Sequence, residues 1–187
     1  MTGSVVVLSG GVGGAKLALG LYRVLTPMQL SVIVNTGDDF SHYGLPICPD
    51  IDTTLYTLAN LANSQQGWGR EGESWNFFES FATLGGESWF QLGDKDLAVH
   101  IMRRYLLEQG MSLSEVTQAL AERLAIKAQL TPMSDHRVST HLLTDEGELP
   151  FQHYFVRRQC QPKVREIRFH GVEPVSYTHL TLPTSPK

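Results

Sequence analysis

The sequence predicts a Rossmann-like α/β fold in which three αβα layers enclose a mostly parallel sheet. Residues 5–8 form an apolar, β-branched run without alternation, which is typical of a strand buried on both faces. A glycine-rich turn follows, and residues 15–25 then place apolar side chains at helical spacing. A second buried strand is predicted at residues 30–34. The chain therefore opens with a βαβ unit.

Periodicity and turn residues predict the remaining elements. We expect a long loop over residues 35–49 and helices over residues 50–60, 75–84, 94–109 and about 112–125. The last of these opens with a capping box from Ser112 to Glu115. A third strand at 128–130, a β-hairpin over 138–144 and 149–156, and a strand at 164–169 follow. We therefore assign residues 1–174 to the N-terminal part of one α/β domain.

Composition excludes several classes of protein. The chain has 187 residues, a net charge of −4 and scattered Lys and Arg, which argues against a nucleic-acid surface. Its two cysteines, Cys48 and Cys160, form neither a disulfide framework nor a C-x-x-C metal pair. No apolar run has membrane-spanning length, and the N-terminus lacks a signal-peptide pattern. We therefore expect a cytoplasmic protein without a membrane partner.

The last thirteen residues, 175–187, differ from the rest of the chain. They are rich in Thr, Ser and Pro and follow neither a helix nor a strand period. They resemble translated adapter tails at the ends of open reading frames, and we set them aside as a non-native tail. The alternative is a natural disordered terminus.

Four glycines within five positions, Gly10 to Gly14, separate the first strand from the first helix. Such a loop lets backbone N–H groups approach an anion at the positive end of a helix. The candidate phosphate-binding residues are Gly10, Gly11, Gly13, Gly14 and Lys16. Neither the Walker A loop nor the dinucleotide fingerprint fits, since Lys16 is not followed by Ser or Thr and stands where the third glycine belongs. The alternative is a tight turn that binds nothing.

Two pairs of acidic residues are expected beside this loop. Asp38 and Asp39 follow the second strand, and Asp50 and Asp52 lie at the start of a helix. Parallel sheets bind ligands at the carboxyl ends of their strands, so both pairs should meet the glycine loop at one rim. Carboxylates would repel a phosphate unless a divalent cation such as Mg²⁺ lay between them. A metal-assisted phosphate site is the prediction; a helix cap and a turn are the alternative.

A third polar cluster, "LGDKDLAVH", lies at the start of the helix over residues 94–109. Asp96 and His100 stand four apart and share a helix face, which suits proton transfer or orientation of a hydroxyl. We favour the simpler interpretation, in which the acids cap the helix and His100 is a core histidine paired with Asp96. Nearby aromatic residues are usually core, although they could form a stacking wall for a planar ring: Trp68, Trp75, Phe77, Phe78, Phe81, Trp89 and Phe90.

Six stretches together resemble the 2-phospho-L-lactate transferases of deazaflavin coenzyme (F-420) biosynthesis. They are "SGGVGGAKLALGL", "VNTGDDFSHYGLPICPDIDTTLYTL", "GWGREGESWN", "LGDKDLAVH", "PMSDHRVSTH" and "FQHYFVRR", and they cover most of residues 5–170. The resemblance implies a Mg²⁺-dependent transfer from a guanosine diphosphate-activated three-carbon acid to the ribityl hydroxyl of the deazaflavin Fo. The transferred unit is 2-phospholactate, phosphoenolpyruvate or a similar acid. The products are coenzyme F-420-0, or its dehydro form, and GMP.

The resemblance also implies residue roles. Asp38, Asp50 and Asp52 would hold Mg²⁺, with Asp38 and Asp52 the catalytic residues that orient the attacking hydroxyl. Asn35 and Thr36 would line the same rim. The residues expected to contact Fo are Asp52, Gln91, Asp94, Lys95 and Asp96.

Family members are considerably longer and contain a "PSNP"-like loop at the nucleotide site, which this chain lacks. We therefore expect an N-terminal fragment that is itself inactive, with association, such as a homodimer, favoured by exposed sheet edge. The first rival is a non-catalytic regulator of the same superfamily that binds nucleotide sugars. The second is a dehydrogenase-like dinucleotide domain, which Lys16 disfavours.

Overall fold

The computed structural model describes residues 4–63, 65 and 68–172; the proposed tail, residues 175–187, lies outside them. The described strands are β1 (Val5–Ser9), β2 (Leu30–Val34), β3 (Phe40–His42), β4 (Leu45–Ile47), β5 (Gln129–Pro132), β6 (Ser139–Thr144), β7 (Gly147–Pro150) and β8 (Val164–His170). The described α-helices are α1 (Gly11–Val24), α2 (Pro49–Leu58), α3 (Asn76–Thr83), α4 (Asp94–Glu108) and α5 (Leu113–Arg123).

Strands β1, β2 and β5 form a parallel sheet in the order β1-β2-β5. Val7 pairs with Val32, and Val32 pairs with Leu130, so the three strands run in register. Strands β7, β6 and β8 form a separate antiparallel sheet in that order. The predicted α/β fold with a parallel sheet is confirmed.

The central sheet is covered on one face in the part of the chain that the structure describes. Val7 and Val32 are buried beneath the helices, whereas Val6 and Leu8 of β1 are 44% and 73% exposed. The prediction that residues 5–8 are buried on both faces is therefore wrong for the described residues. Two-sided burial requires helices on both sides of a strand.

Helix α1 begins at Gly11, four residues before the predicted start at Ala15, so three of the four glycines form its first turn. Gly11 has a φ of +60°, in the left-handed region that glycine adopts without steric cost. The capping box at the start of α5 is confirmed, because Ser112 and Glu115 exchange both of its hydrogen bonds.

Two sequence-based predictions in the irregular regions are wrong. The expected loop over residues 35–49 contains the β3–β4 hairpin, whose turn residues Tyr43 and Gly44 both have positive φ. The predicted strand over residues 149–156 ends at Pro150, and residues 151–157 form a short, wide helical turn. Proline has no N–H to donate and commonly ends a strand.

The main core lies between the parallel sheet and helices α1, α2, α4 and α5. Its most deeply buried members include Val32, Ile51, Leu55 and Val116. A smaller core around Phe40, on β3, joins the hairpin to the start of α4. Among the residues that the structure describes, no helix is both long and apolar enough to cross a membrane.

Candidate functional site at the carboxyl ends of the parallel strands

The first residues after β1 and β2 meet at one rim of the sheet, as the sequence predicts. The Asn35 amide donates to the Ser9 carbonyl at 2.8 Å, which joins the two strand ends. Three buried polar atoms at or beside this rim have no hydrogen-bond partner among the residues that the structure describes: Ser9 Oγ, Thr36 Oγ1 and Asp39 Oδ1. Buried polar groups are normally satisfied, so these atoms are candidates to contact a ligand or an ion.

Asp50 connects the glycine loop to the end of β2. Its Oδ1 accepts the Gly11 N–H at 2.9 Å, and its Oδ2 accepts the Asn35 side-chain amide at 2.8 Å. The Asn35 side-chain oxygen in turn accepts the Gly37 N–H at 3.0 Å. A carboxylate therefore already uses the first N–H of α1. The N–H groups of Val12 and Gly13 have no partner among the described residues and could bind an external anion.

The glycines of the loop have different structural roles. A Cβ on Gly14 would lie 2.7 Å from Ser9 Oγ and 3.0 Å from Ser9 Cα, so Gly14 allows α1 to approach β1 closely. A Cβ on Gly13 would meet nothing within 4 Å, and Gly10 would only touch the side chains of Asn35 and Asp50. Lys16 is exposed on α1, two residues beyond the first turn.

Asp38 is half-buried beside Asp50, and its side chain forms no hydrogen bond among the described residues. Burial, together with the Asp50 carboxylate, raises its pKa to about 6. Asp38 and Asp39 also line a cavity of about 140 Å³. Its other walls include Phe40, Arg137, Thr140, His141 and Gln152. The residues of the glycine loop do not line this cavity.

Asp39 is the more deeply buried of the two carboxylates. Burial raises its pKa to about 8, and the Asp52 and Asp50 carboxylates act in the same direction. A hydrogen bond with Cys48 and the charge of Arg103 offset only part of this effect. The ionised form of Asp39 is therefore disfavoured, and a cation beside it would stabilise that form.

Asp52 points away from Asp50, because residues two apart on a helix are separated by about 200°. Both of its oxygens bond to the fully buried Arg103 guanidinium, with the Nη1–Oδ2 distance at 3.2 Å. His100 Nδ1 lies 3.6 Å from the same carboxylate, and His100 Nε2 lies 3.3 Å from Asp96. Tyr56 donates to the other Asp96 oxygen at 2.5 Å. The structure thus divides the expected Asp38–Asp50–Asp52 group in two.

His100 is a buried histidine paired with Asp96, which agrees with the simpler sequence interpretation. Burial raises the pKa of the Asp96 carboxyl, but the His100 hydrogen bond and charge outweigh this effect and lower it. The cluster formed by Asp52, Asp96 and His100 has ligand atoms within 4.8 Å of one another, so its donor set is compatible with a metal. The Arg103 charge beside it disfavours a cation there.

The residues predicted to contact Fo have mainly local structural contacts. The Asp94 carboxylate accepts the N–H groups of Asn76 and Phe77 at 3.2 and 3.0 Å, and so caps α3. Hydrogen bonds from the side chains of Asn76 and Ser74 lower the pKa of Asp94 to about 2. Lys95 donates to the Gly72 carbonyl at 2.5 Å. Gln91 is exposed beside these groups.

The predicted aromatic cluster is only partly core. Trp89 and Phe90 pack on Phe40, with ring centroids 6.0 and 5.0 Å from the Phe40 ring. Trp68 and Phe77 are 48% and 39% exposed, so these rings remain accessible to a planar ligand.

Sequence reasoning missed two residues that shape this site: Arg103 as the partner of Asp52, and Glu73 as the cap of α4. Glu73 accepts the N–H groups of Lys95 and Asp96, both at 2.9 Å. The one available signal was the position of Arg103, seven residues after Asp96, on the apolar side of a helix, where an arginine needs a buried partner.

The chain matches the family model described as 2-phospho-L-lactate transferase CofD over residues 5–181. The fold and the match together define the chain as an α/β protein of a transferase family. The chain belongs to the CofD family, which confirms the resemblance found in its motifs.

Curated relatives of the chain are named phosphoenolpyruvate transferase. The relative from Streptomyces avermitilis is 48% identical over 158 residues, covering 82% of this chain and 50% of the relative. The relative from Streptomyces coelicolor is 45% identical over 174 residues (90% and 54%), and that from Mycobacterium tuberculosis H37Ra is 38% identical over 192 residues (92% and 58%). The chain therefore spans about half the length of the curated relatives it matches.

A crystal structure of a UPF0052-family protein from Bacillus halodurans is similar in fold. It aligns with a TM-score of 0.58 at 16% identity and covers 91% of this chain and 52% of that one. At this identity the likeness supports the α/β fold and carries no functional assignment.

Proposed function

We propose that this chain is the N-terminal part of a transferase that moves a phospho-three-carbon-acid unit from a GDP-activated donor to the deazaflavin Fo. The products would be GMP and coenzyme F-420-0 or its dehydro form. The observation that carries the proposal is the match to the transferase family, together with the Asp50 carboxylate, which bonds to the first N–H of α1 and lies close to Asp38. Because the similar proteins are named phosphoenolpyruvate transferases, phosphoenolpyruvate is the favoured acid among the three-carbon candidates.

The donor contains a diphosphate, and α1 offers groups that suit it. We assign the free N–H groups of Val12 and Gly13, together with Lys16, to the phosphate oxygens. Asp50 would keep the loop and Asn35 in place through its two hydrogen bonds. A phosphate here would lie close to the negative charge of Asp50, so a cation is needed in addition.

The donor set at the rim fits Mg²⁺. Mg²⁺ takes one or two carboxylates together with phosphate oxygens and waters. Asp38 has no hydrogen-bond partner among the described residues, and Asp39 Oδ1 is buried without one. We assign Mg²⁺ to Asp38 and Asp39, with Asp50 beside them. The bound ion would neutralise charge on the phosphate oxygens. The Asp52 oxygens are engaged by Arg103, so a direct metal role for Asp52 stays a prediction that this pairing disfavours.

The reaction is a substitution at phosphorus. The ribityl oxygen of Fo forms a bond to the phosphorus that carries the three-carbon acid. The bond from this phosphorus to the bridging oxygen breaks, and GMP leaves with the electron pair. In this proposal Asp38 would orient the hydroxyl and accept its proton. Positioning and charge stabilisation supply most of the rate in such transfers.

Asp52 enters the proposal as a positioning residue. Its ion pair with Arg103 holds α2 and α4 together, and α2 carries Asp50 to the rim. Gln91, Lys95 and Asp96 remain the candidate Fo contacts, with Trp68 and Phe77 as accessible ring neighbours. We place the reaction in the cytoplasm, in agreement with two free thiols, at Cys48 and Cys160. A homodimer stays a prediction.

The test is a binding and turnover assay on the intact chain. Fo, the GDP-activated acid and Mg²⁺ are incubated with it, and the charge of Fo is followed by anion-exchange chromatography. Mg²⁺-dependent binding of GDP and Fo supports the proposal, and conversion of Fo shows activity in this part alone. Binding of a UDP-sugar with no affinity for Fo would instead indicate the regulator. Failure to bind either Fo or GDP would overturn the assignment of both sites to this part of the protein.

A further inference from the structure

The antiparallel sheet carries two histidines and a glutamate on one face. In its register, His141 of β6 pairs with Arg168 of β8, Ser139 pairs with His170, and Leu143 pairs with Glu148 of β7. Side chains two residues apart on a strand point to the same face. His141, in the central strand, therefore has Glu148 and His170 as diagonal neighbours on either side.

The three side chains converge on one point. His141 Nδ1 lies 3.2 Å from Glu148 Oε1, and His170 Nε2 lies 2.8 Å from the same oxygen. The two imidazole rings have centroids only 4.4 Å apart, and one ligand atom from each of the three residues lies within 4.8 Å of the others. Adjacent ligand atoms around a tetrahedral zinc ion are about 3.3 Å apart, since each is about 2.0–2.1 Å from the metal. The observed spacing is close to this value.

The glutamate is held in the orientation that such a site needs. Arg168 donates to Glu148 Oε2 at 3.0 Å and to Glu166 at 3.0 Å. Oε1 of Glu148 is thereby directed towards the histidines, while Glu166 balances the arginine charge. Metal ligands in proteins are commonly fixed by outer partners in this way.

We propose that His141, Glu148 and His170 bind a borderline divalent transition metal, with Zn²⁺ as the preferred ion. Two imidazoles and one carboxylate form a donor set typical of zinc, whereas Mg²⁺ and Ca²⁺ prefer oxygen ligands. The side chains are 24%, 31% and 52% exposed, so an ion can reach them from solvent. Three protein ligands leave a fourth position for water. This site is distinct in chemistry from the Mg²⁺ site proposed at the rim.

Titration calorimetry of the intact chain with ZnCl₂, in excess Mg²⁺ to occupy the rim, tests the proposal. We expect binding of one zinc ion, and His141→Gln and His170→Gln should each weaken it by at least about 10- to 100-fold, the effect that even outer partners have. His136→Gln is the matched control, because His136 is an exposed histidine outside the cluster. Its zinc affinity should equal that of the unchanged chain.

Co²⁺ provides a second, spectroscopic readout of the ligands. Its visible absorption spectrum should show nitrogen and oxygen ligation in the unchanged chain and be lost in His170→Gln. His170 is exposed at the end of β8, so this variant is expected to fold. Absence of zinc binding would overturn the proposal. The proposal would also be overturned if the His141→Gln and His170→Gln variants bound zinc as tightly as the unchanged chain. The same holds if His136→Gln lost as much zinc affinity as they do. The assay for Fo conversion is separate, so either proposal can fail alone.

Discussion

The Asp52 carboxylate and the Arg103 guanidinium form a buried ion pair that joins α2 to α4. Arg103 is 0% exposed and Asp52 is 5% exposed, and His100 lies beside both. Burial alone lowers the pKa of Arg103, but the Asp52 charge outweighs this effect and raises it. Arg103 also donates to the Pro46 carbonyl at 3.1 Å, which ties α4 to the β3–β4 hairpin.

Asp52→Asn should strongly destabilise the protein. If Asp52 only capped its helix, replacing it with Asn would cost little stability. In the folded protein, however, the substitution removes the negative charge that Arg103 pairs with in the core. Breaking a buried ion pair from one side costs about 3–5 kcal/mol. Urea denaturation measures the change in unfolding free energy. Glu108→Gln, which removes the exposed partner of Arg104, is the control and should have little effect. An Asp52→Asn chain as stable as the original would contradict this role.

The metal-free protein should lose stability as the pH rises from about 4 to about 8. The folded pKa values of Asp38 and Asp39 are raised to about 6 and about 8. Between the unfolded and folded pKa values the native state binds more protons, so its stability is full below the unfolded pKa and falls as each group ionises. Urea midpoints measured with a chelator across this range should show the decline.

Histidines titrate in the same range, so the comparison between variants isolates the carboxylates. Asp38→Asn should reduce the slope only between about pH 4 and 6, and Asp39→Asn should reduce it over the whole range from about pH 4 to 8, while Glu79→Gln, on the exposed face of α3, should change neither. Saturating Mg²⁺ should restore stability near pH 8 in the unchanged chain. An Asp39→Asn curve parallel to that of the unchanged chain would rule out a raised pKa at Asp39.

Gly13 and Gly14 should respond differently to alanine. A methyl group at Gly14 would press on the Ser9 backbone, so Gly14→Ala should cost about 1–3 kcal/mol of stability. Gly13→Ala meets open space and should leave stability unchanged or raise it by up to about 1 kcal/mol.

The Gly13→Ala variant also tests the phosphate assignment. Its methyl group would crowd the free N–H groups at the start of α1, so GDP should bind more weakly although the fold is intact. Thermal melts and GDP titrations in Mg²⁺ measure the two effects separately. Unchanged GDP affinity would show that the glycine turn is only structural.

Asp94 and Glu73 should each cap the N-terminus of a different helix, Asp94 that of α3 and Glu73 that of α4. The Asp94 carboxylate holds the first N–H groups of α3, and Glu73 holds those of Lys95 and Asp96 on α4. Amide hydrogen exchange should show that Asp94→Ala exposes the amides of Asn76 and Phe77, whereas Glu73→Ala exposes those of Lys95 and Asp96. Equal exchange in both helices for either variant would contradict separate caps.

The cap that Asp94 forms on α3 should be lost only at a pH well below 4. Because its folded pKa is lowered to about 2, the stability that it contributes is complete above its unfolded pKa, near 4, and is lost as the pH falls through about 2. Protection of the Phe77 amide, followed as the pH is lowered, should therefore persist to about pH 3. Loss of protection already at about pH 4 would show that this cap is weak.

The sequence by itself determined the features that depend only on residues close together along the chain. The periods of β2, α2, α4 and α5, the Ser112–Glu115 capping box and the motifs of the family are all local patterns, and the structure or the comparisons bear them out. The rim was predictable too, since parallel strands place their carboxyl ends together. The start of α1 and the β3–β4 hairpin were misjudged, because Asp50 and the Tyr43–Gly44 turn supply signals that local propensity does not contain.

Only the tertiary structure decided which carboxylate faces which partner. Asp50 and Asp52 are alike in sequence, yet one bonds to Gly11, 39 residues away, and the other to Arg103, 51 residues away. A two-residue step on α2 turns them to different surroundings, one at the rim and one in the core. Burial and long-range charge, which no local pattern contains, left Asp38 and Asp39 as the unneutralised pair and made Asp52 part of the framework.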